Sequence, residues 1–146
     1  MCLIAIAWQS HPRYRLALIA NRDEFHARPT APAGFAPGQP HVYGGRDLQA
    51  GGGWLMVSTR GRLAAVTNVR TGAPDDGRAR SRGALVRGFV AGTQTASDAI
   101  GAIGIDAPEY GRFNLLAWDG DALHFAGNHP AFKRHAVAPG VHAMSN

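Results

Sequence analysis

The sequence is short of several residue types, and each shortage excludes a class of protein. Cys2 is the only cysteine, so no internal disulfide can form, and the N-terminus lacks the basic stretch, apolar core and cleavage site of a secretory signal. We therefore expect a reducing, cytoplasmic location. No apolar run approaches the roughly 18 residues that a membrane-spanning helix needs, so we expect no membrane insertion.

Lysine is also scarce, and the net charge of +5 depends on arginine. Lys133 is the single lysine, whereas seven arginines lie between Arg60 and Arg87. This excess favours an anionic partner, although the charges can also simply be solvated. A nucleic-acid surface would carry a recognition helix, a zinc module or stacking aromatic side chains beside the basic residues, and this stretch has none of these signatures. We expect no nucleic-acid partner.

Histidine spacing argues against a metal site. None of the seven histidines forms a close pair such as two residues four positions apart on a helix. The stretch from His129 to His135 contains Pro130, which disfavours placing these two histidines on one face of a helix. We predict no metal. Haem needs only a single axial ligand, so the histidine spacing does not exclude haem binding, and Cys2 or His26 is the candidate ligand.

The apolar runs predict one domain over residues 1–146, of α+β class with mainly antiparallel strands. Residues 2–8 and 15–20 predict an antiparallel pair, whereas four prolines predict an ordered surface loop over residues 21–41. Further strands are predicted at residues 54–58, 63–69, 113–118, 122–126, 135–138 and 141–145. Ser81 predicts the start of one helix through Val90, and residues 96–103 predict a second.

Cys2 is chemically distinctive because it follows the initiator Met1 directly. Removal of Met1 would give one residue both a thiol nucleophile and a free α-amine, whose ordinary pKa of about 7.7–8.0 suits it to take the thiol proton. With Met1 attached, that nitrogen is an amide and the mechanism is not available. The alternative is that Cys2 is a small buried hydrophobe at the start of a core strand.

Polar residues at the ends of apolar runs are the remaining candidates for chemistry. Asn21-Arg22-Asp23-Glu24 follows the second predicted strand, so a hairpin would bring this tetrapeptide close to Cys2. There, an arginine would favour the thiolate and a carboxylate would hold the α-amine. The alternative is a solvated turn with local ion pairs.

Asn68 and Asn146 also follow apolar runs. Side-chain amides in such positions can donate hydrogen bonds to an oxyanion. An asparagine at the end of a strand can equally be a turn former.

Seven short motifs are spread from the first residue to the last, at residues 1–4, 20–25, 52–55, 67–70, 81–85, 113–116 and 144–146. In this order they resemble the NRDE family, also called the transport and Golgi organisation family, which is named after the tetrapeptide at residues 21–24. The chain departs from the family's pattern at Gly53, where members usually carry threonine, and at Met144, where leucine is common. Family members continue further, so the chain looks like the N-terminal half to two-thirds of one.

The resemblance implies the four-layer αββα sandwich of N-terminal-nucleophile hydrolases, here incomplete at the C-terminus. By similarity to the cysteine branch of those enzymes, Cys2 is the nucleophile, and either Arg22 and Asp23 or Asn21 and Glu24 position it. Asn68 and Asn146 match positions on the side of the site that binds the oxyanion. The last catalytic arginine of the cysteine branch would lie beyond residue 146. Substrate or ligand contacts are assigned to Asn21, Glu24, Trp54 and Arg70.

The resemblance leaves two functions open. The first is hydrolysis of a linear amide (C–N) bond in a small-molecule substrate, which requires no cofactor. The second is a non-catalytic carrier of haem or of an acyl-CoA or other lipid in the same cleft, with Arg22 or the arginines between Arg60 and Arg87 pairing with propionates or phosphates.

Overall fold

A computed structural model describes residues 2–72 and 80–145, and within these residues the chain forms ten strands, two α-helices and one short 3₁₀ turn. In chain order they are β1 (Leu3–Trp8), β2 (Leu16–Asn21), β3 (Thr30–Ala36), β4 (Gln39–Asp47), β5 (Leu55–Ser58), β6 (Arg62–Asn68), α1 (Arg82–Ala91), α2 (Ala96–Asp106), the 3₁₀ turn (Ala107–Glu109), β7 (Phe113–Trp118), β8 (Leu123–Gly127), β9 (Lys133–Ala136) and β10 (Gly140–Ser145).

The strands form two sheets in which every paired strand is antiparallel to its neighbour. A three-stranded sheet has the order β10-β1-β2, and a seven-stranded sheet runs in sequence order from β3 to β9. The predicted α+β class with mainly antiparallel strands is therefore confirmed. The predicted pairing of the first two strands is also confirmed, since Leu3 lies opposite Asn21 in the register of β1 and β2.

The large sheet buries both of its faces, and its alternating side chains divide the core in two. Val66 and Leu115 point to the face that α1 and α2 cover. Ala65 and Leu116 are their chain neighbours and point the other way, where they pack against Ile4 and other side chains of the small sheet. The described residues thus stack in three layers: helices, large sheet and small sheet.

The outer face of the small sheet is apolar and open. Leu3, Ile19 and Val141 lie on it with 41%, 76% and 78% of their surface exposed. Among the described residues no helix covers this face, so they do not form the fourth layer of an αββα sandwich. In the same part of the chain, no helix has the length and apolar character to cross a bilayer.

The prediction of a loop throughout residues 21–41 was wrong, because β3 and the first residues of β4 lie in this range. A proline cannot donate to a strand ladder, but an edge strand has one side without a partner. β3 is the edge of the seven-stranded sheet, and its register with β4 shifts between Ala31 and Gly34 and again between Phe35 and Ala36. These irregularities accommodate Pro32 within a strand.

The helix and hairpin predictions from local signals agree with the structure. The Ser81 side chain accepts a hydrogen bond from the Gly83 N–H and caps α1, as predicted, and Thr95 caps α2 in the same way. α2 continues to Asp106, three residues beyond its predicted end. Gly120 has φ of 102° in the turn between β7 and β8, which explains why a glycine stands in this hairpin.

Candidate active site

A cavity of about 530 Å³ opens where strand ends of both sheets meet the first turn of α1. The start of β1, the turn after β2 and the ends of β4 and β6 contribute side chains, together with the segment that leads into β5. Of the residues with predicted roles, Cys2, Arg22, Asp23, Glu24, Trp54 and Asn68 all line it. Its volume lies in the range of small-molecule sites.

The Cys2 side chain lies against the backbone of the tetrapeptide. Leu3 pairs with Asn21 in the antiparallel register, so Cys2, one residue earlier, is brought beside the residues that follow β2. The Asp23 N–H donates a hydrogen bond to Cys2 Sγ over 3.3 Å, and Sγ lies 3.6 Å from the Asp23 carbonyl oxygen. Cys2 is 7% exposed, and that surface faces the cavity. A donor directed at sulfur stabilises negative charge on it.

A chain of ion pairs holds the turn after β2 in place. Arg22 Nη2 lies 3.6 Å from Glu24 Oε2, and the same carboxylate oxygen is 3.8 Å from Arg28 Nε. Arg28 in turn binds Asp47 at the end of β4, with Nη2 2.6 Å from Oδ2. The turn that carries Asp23 is thereby tied to the large sheet.

Burial raises the pKa of the Asp47 carboxyl, but hydrogen bonds from Arg28 and from the N–H groups of Ala50 and Gln49 outweigh burial and hold that pKa below its usual value. A carboxyl whose pKa is lowered by folding stabilises the folded state above its unfolded pKa, and this contribution disappears as the pH falls through the folded value.

We expect Asp47→Asn to lower the free energy of unfolding at pH 7 by about 1–2 kcal/mol, because the charge-assisted bonds from Arg28 are lost. The difference from the natural protein should shrink as the pH falls below about 4, where Asp47 of the unfolded chain becomes protonated, and it should vanish once the pH passes the lower pKa of the folded state. Urea denaturation at pH 7 and pH 3 measures both. Asp121→Asn is the control, since that side chain is 93% exposed and its substitution should change little. An equal loss at both pH values would contradict the role given to the Asp47 charge.

Asp23 and Arg70 meet at the rim of the cavity. Arg70 Nη2 lies 3.2 Å from Asp23 Oδ2. Arg70, through its charge and a hydrogen bond, helps to hold the pKa of the Asp23 carboxyl below its usual value, although desolvation raises it. Arg70 does not line the cavity itself. It lines a second groove next to it, and the residues that the groove shares with the cavity include Asp23, Glu24 and Asn68.

Asn68 and Trp54 enter the cavity from neighbouring strands. Asn68 is the last residue of β6 and pairs with Phe113 of β7. Within residues 2–72 and 80–145 its side-chain amide has no hydrogen-bond partner, so its donors are available to a ligand. Trp54 precedes β5, where its carbonyl accepts a hydrogen bond from the Val66 N–H over 2.8 Å and its ring packs against the core.

Besides Arg70, three predicted site residues are not brought into this cavity by the described chain. Asn21 is exposed at the end of β2 and is not part of the lining. His26, a candidate haem ligand, is also exposed outside the lining. Asn146 lies outside the described residues. In the described ranges, histidine, cysteine and carboxylate side chains do not gather into any group able to hold a metal ion.

Two glycines permit the close approach between α1 and the segment that leads into β5. A Cβ on Gly52 would lie 2.4 Å from the Gly83 carbonyl carbon and 2.6 Å from its Cα, and the Gly53 N–H donates to the Gly83 carbonyl. The atoms in the way are backbone, so a side chain at Gly52 can be accommodated only if α1 moves away. This contact places the first turn of α1 at the cavity.

We expect Gly52→Ala to lower the free energy of unfolding by about 1–3 kcal/mol through overpacking against Gly83. Gly88→Ala is a matched control within α1, because a Cβ there meets nothing within 4 Å. It should raise stability by up to about 1 kcal/mol through helix propensity. Both values can be measured by urea denaturation, and equal effects of the two substitutions would contradict the packing argument.

Sequence reasoning missed several residues of this site. Arg28, Arg46 and Asp47 line the cavity, but the first lies in a segment predicted to be loop and the others at the end of an unpredicted strand. Gly83 also lines it. It belongs to the motif at residues 81–85, which was the available signal for it, whereas Arg82 was already among the arginines that the carrier hypothesis named.

The arginines between Arg60 and Arg87 do not share one surface among the described residues. Arg62 is buried against α1, where it donates to the Phe89 carbonyl over 3.0 Å and stacks on the Phe89 ring at 4.1 Å. Arg87 donates to the Gln39 side chain. Arg80 and Arg82 line the cavity. These charges therefore serve different places in the fold.

The comparisons with known proteins agree in pointing to one family. The sequence model of the family described as Transport and Golgi organisation 2 matches residues 1–146. The chain is 36% identical over 159 residues to the Transport and Golgi organization protein 2 homolog of Bos taurus and 35% identical over 159 residues to that of Homo sapiens, with all of this chain and 57% of each relative covered. It is 38% identical over 99 residues to the Drosophila melanogaster Transport and Golgi organization protein 2, with 62% of this chain and 35% of that protein covered. The chain thus spans little more than half the length of the mammalian relatives.

Proposed function

The chain belongs to the Transport and Golgi organisation 2 family, and from this premise we propose that it is a cysteine amide hydrolase in which Cys2, freed by removal of Met1, attacks a linear amide. The observation that carries the proposal is the position of Cys2 Sγ, which faces a cavity of about 530 Å³ and accepts a hydrogen bond from the Asp23 N–H. A buried structural cysteine needs neither of these features.

The proposed reaction proceeds through a thioester. Cys2 Sγ attacks the amide carbonyl carbon while the α-amine of the same residue takes the thiol proton. The C–N bond then breaks, the leaving nitrogen receives that proton, and the acyl group remains on sulfur. Water attacks the thioester, with the amine as its base, and releases the carboxylic acid and the thiol.

The neighbouring residues are assigned supporting roles in this scheme. The Asp23 carboxylate holds the α-amine in place, and Arg22 positions the turn through Glu24. Asn68 donates to the oxyanion that forms on the carbonyl oxygen, because its amide is at the cavity with free donors among the described residues. Asn146 is expected to add a second donor. Trp54 supplies an apolar wall for the acyl part of the substrate.

The proposal is tested by treating the protein with a limiting amount of iodoacetamide and measuring the intact mass. Removal of Met1 should appear as a loss of that residue's mass, and the trimmed protein should gain one carbamidomethyl group at Cys2. The Cys2→Ala protein is the control and should gain none. Retention of Met1 in all of the protein, or an unreactive Cys2, would rule the proposed mechanism out.

A carrier of haem or of an acyl-CoA is the second candidate, and the arginines of the cavity favour it. Five of them line it, namely Arg22, Arg28, Arg46, Arg80 and Arg82. Haem fits less well, since the described lining contains no histidine and leaves Cys2 as the available axial ligand. Titration with haem, followed by its absorption band in natural and Cys2→Ala protein, discriminates: a flat titration removes haem from consideration.

The hydrolase proposal calls for a small-molecule substrate and no cofactor. We place the reaction in the cytoplasm on the ground that a single cysteine forms no internal disulfide. Nucleic acid has no role in it.

A further inference from the structure

One guanidinium in the cavity has no counter-charge among the described residues, and it belongs to Arg46. Three other arginines of the lining each pair with a carboxylate: Arg22 with Glu24 (3.6 Å), Arg28 with Asp47 (2.6 Å) and Arg80 with Asp106 (2.6 Å). Arg46 is half-buried, and within residues 2–72 and 80–145 its side chain makes no hydrogen bond or ion pair. A partly desolvated charge without a partner is costly, so this arrangement suits a site whose counter-ion arrives with the ligand.

The lining as a whole also carries more positive than negative side chains. Against its five arginines stand the three carboxylates of Asp23, Glu24 and Asp47, and Asp23 also pairs with Arg70 outside the lining. The cavity is therefore positive. Guanidinium groups prefer planar anions that accept two parallel hydrogen bonds, and a carboxylate has this shape.

The register of the large sheet sets the distance between Arg46 and the proposed oxyanion donor. β4 and β6 run in the same direction because each is antiparallel to β5. Arg46 is the penultimate residue of β4 and Asn68 is the last residue of β6, so both lie where these strands end, on the same side of the sheet. Gly44 is level with Met56 and Ala64, so Arg46 is level with Val66, and Asn68 lies two residues further along β6. Two strand spacings of about 4.8 Å and a rise of about 3.4 Å per residue place the two backbones about 12 Å apart.

We propose that Arg46 binds a carboxylate of the substrate, and that the substrates are amides whose acyl part carries a carboxylate remote from the scissile bond. That the substrate also carries an amide rests on the proposed function. The carboxylate does not take part in the reaction, so Arg46 would be a residue that determines specificity. Octanedioic acid monoanilide, in which a methylene chain separates the carboxylate from the anilide, is a probe of this class.

Calorimetric titration of the Cys2→Ala protein tests the proposal, because this variant binds without turnover. The probes are octanedioic acid monoanilide, which carries a free carboxylate, and its methyl ester, which has the same shape without charge. We expect the acid to bind at least about tenfold more tightly than the ester. Adding Arg46→Gln should abolish the preference, and Arg46→Lys should keep part of it.

Arg13→Gln is the matched control, since Arg13 is exposed in the turn between β1 and β2, at the end of the small sheet remote from Cys2. It should leave the preference unchanged. Equal binding of acid and ester in the presence of Arg46, or a preference that survives Arg46→Gln, overturns the proposal. So does tighter binding of the corresponding phosphonate, which would assign the site to phosphate-type anions. The acid-to-ester ratio with Arg46 intact is informative even if Arg46→Gln fails to fold.

Failure of this inference and failure of the proposed function are distinguishable. Binding of the acid to the Cys2→Ala protein requires no nucleophile, so the acid-to-ester preference and its dependence on Arg46 are measured without hydrolysis. An Arg46-dependent preference together with an unreactive Cys2 would leave an anion-binding cleft without hydrolysis. A reactive Cys2 without the preference would leave a hydrolase whose substrates lack the carboxylate.

Discussion

Cys2→Ala should lower the rate of amide hydrolysis by a factor of about 10⁴ or more, the scale seen when a hydrolase loses its nucleophile. The reason is that no other described side chain of the cavity is a thiol, so no thioester can form. Release of 4-nitroaniline from acyl 4-nitroanilides, including the octanedioic acid derivative, provides the measurement. Cys2→Ser should retain a weak activity, because the hydroxyl is a poorer nucleophile next to the same amine. Unchanged hydrolysis by Cys2→Ala would show that the activity arises elsewhere.

A second variant separates the thiol from the amine. Insertion of one glycine between Met1 and Cys2 leaves the thiol in the chain but turns the Cys2 nitrogen into an amide after Met1 is removed. If that nitrogen is the base, the inserted chain should lose most of its activity and still react with a large excess of iodoacetamide. Full activity in the inserted chain would contradict the role of the amine while leaving Cys2 as the nucleophile.

Asn68→Ala should lower kcat/KM by a factor of about 10²–10³, with the loss mainly in kcat. The Asn68 amide lines the cavity with no partner among the described residues, so its donors are free for charge that develops on the carbonyl oxygen in the transition state. Asn68→Asp keeps the size but removes the donors and adds negative charge, and it should be at least as impaired.

Asn21→Ala is the control for the Asn68 substitution. Asn21 is exposed at the end of β2 and does not line the cavity, so its loss should leave kcat within a few-fold of the natural protein. Thermal denaturation of each variant distinguishes lost catalysis from lost folding. A loss confined to KM would show that Asn68 binds the ground state of the substrate, not the oxyanion of the transition state.

Local signals were sufficient for most elements of the fold. Apolar runs bounded by turns predicted β1, β2, β7 and β8, because a strand that buries one or both faces must carry apolar side chains. Ser81 predicted the start of α1 because a hydroxyl at that position satisfies a free N–H of the first turn. These signals depend on residues close together in the chain, and no partner from elsewhere is needed to interpret them.

Residues 30–41 show where this reasoning fails. Prolines argue against a central strand, but β3 is an edge strand with two register shifts, and an edge position cannot be recognised without knowing the neighbours. The error had a consequence for the site. Because β4 was not predicted beyond this loop, Arg46 and Asp47 at its end were not considered as cavity residues.

The amino-acid order alone was enough to single out Cys2, the tetrapeptide that closes β2 and Asn68, since each is a chemically capable residue at the boundary of an apolar run. It could not show that α1 approaches Gly52, that Arg28 ties the tetrapeptide to Asp47, or that Arg46 lacks a counter-charge among the described residues. Those features arise from contacts between segments far apart in the chain. Their geometry depends on how two sheets and a helix pack together, and no local pattern of residues encodes that packing.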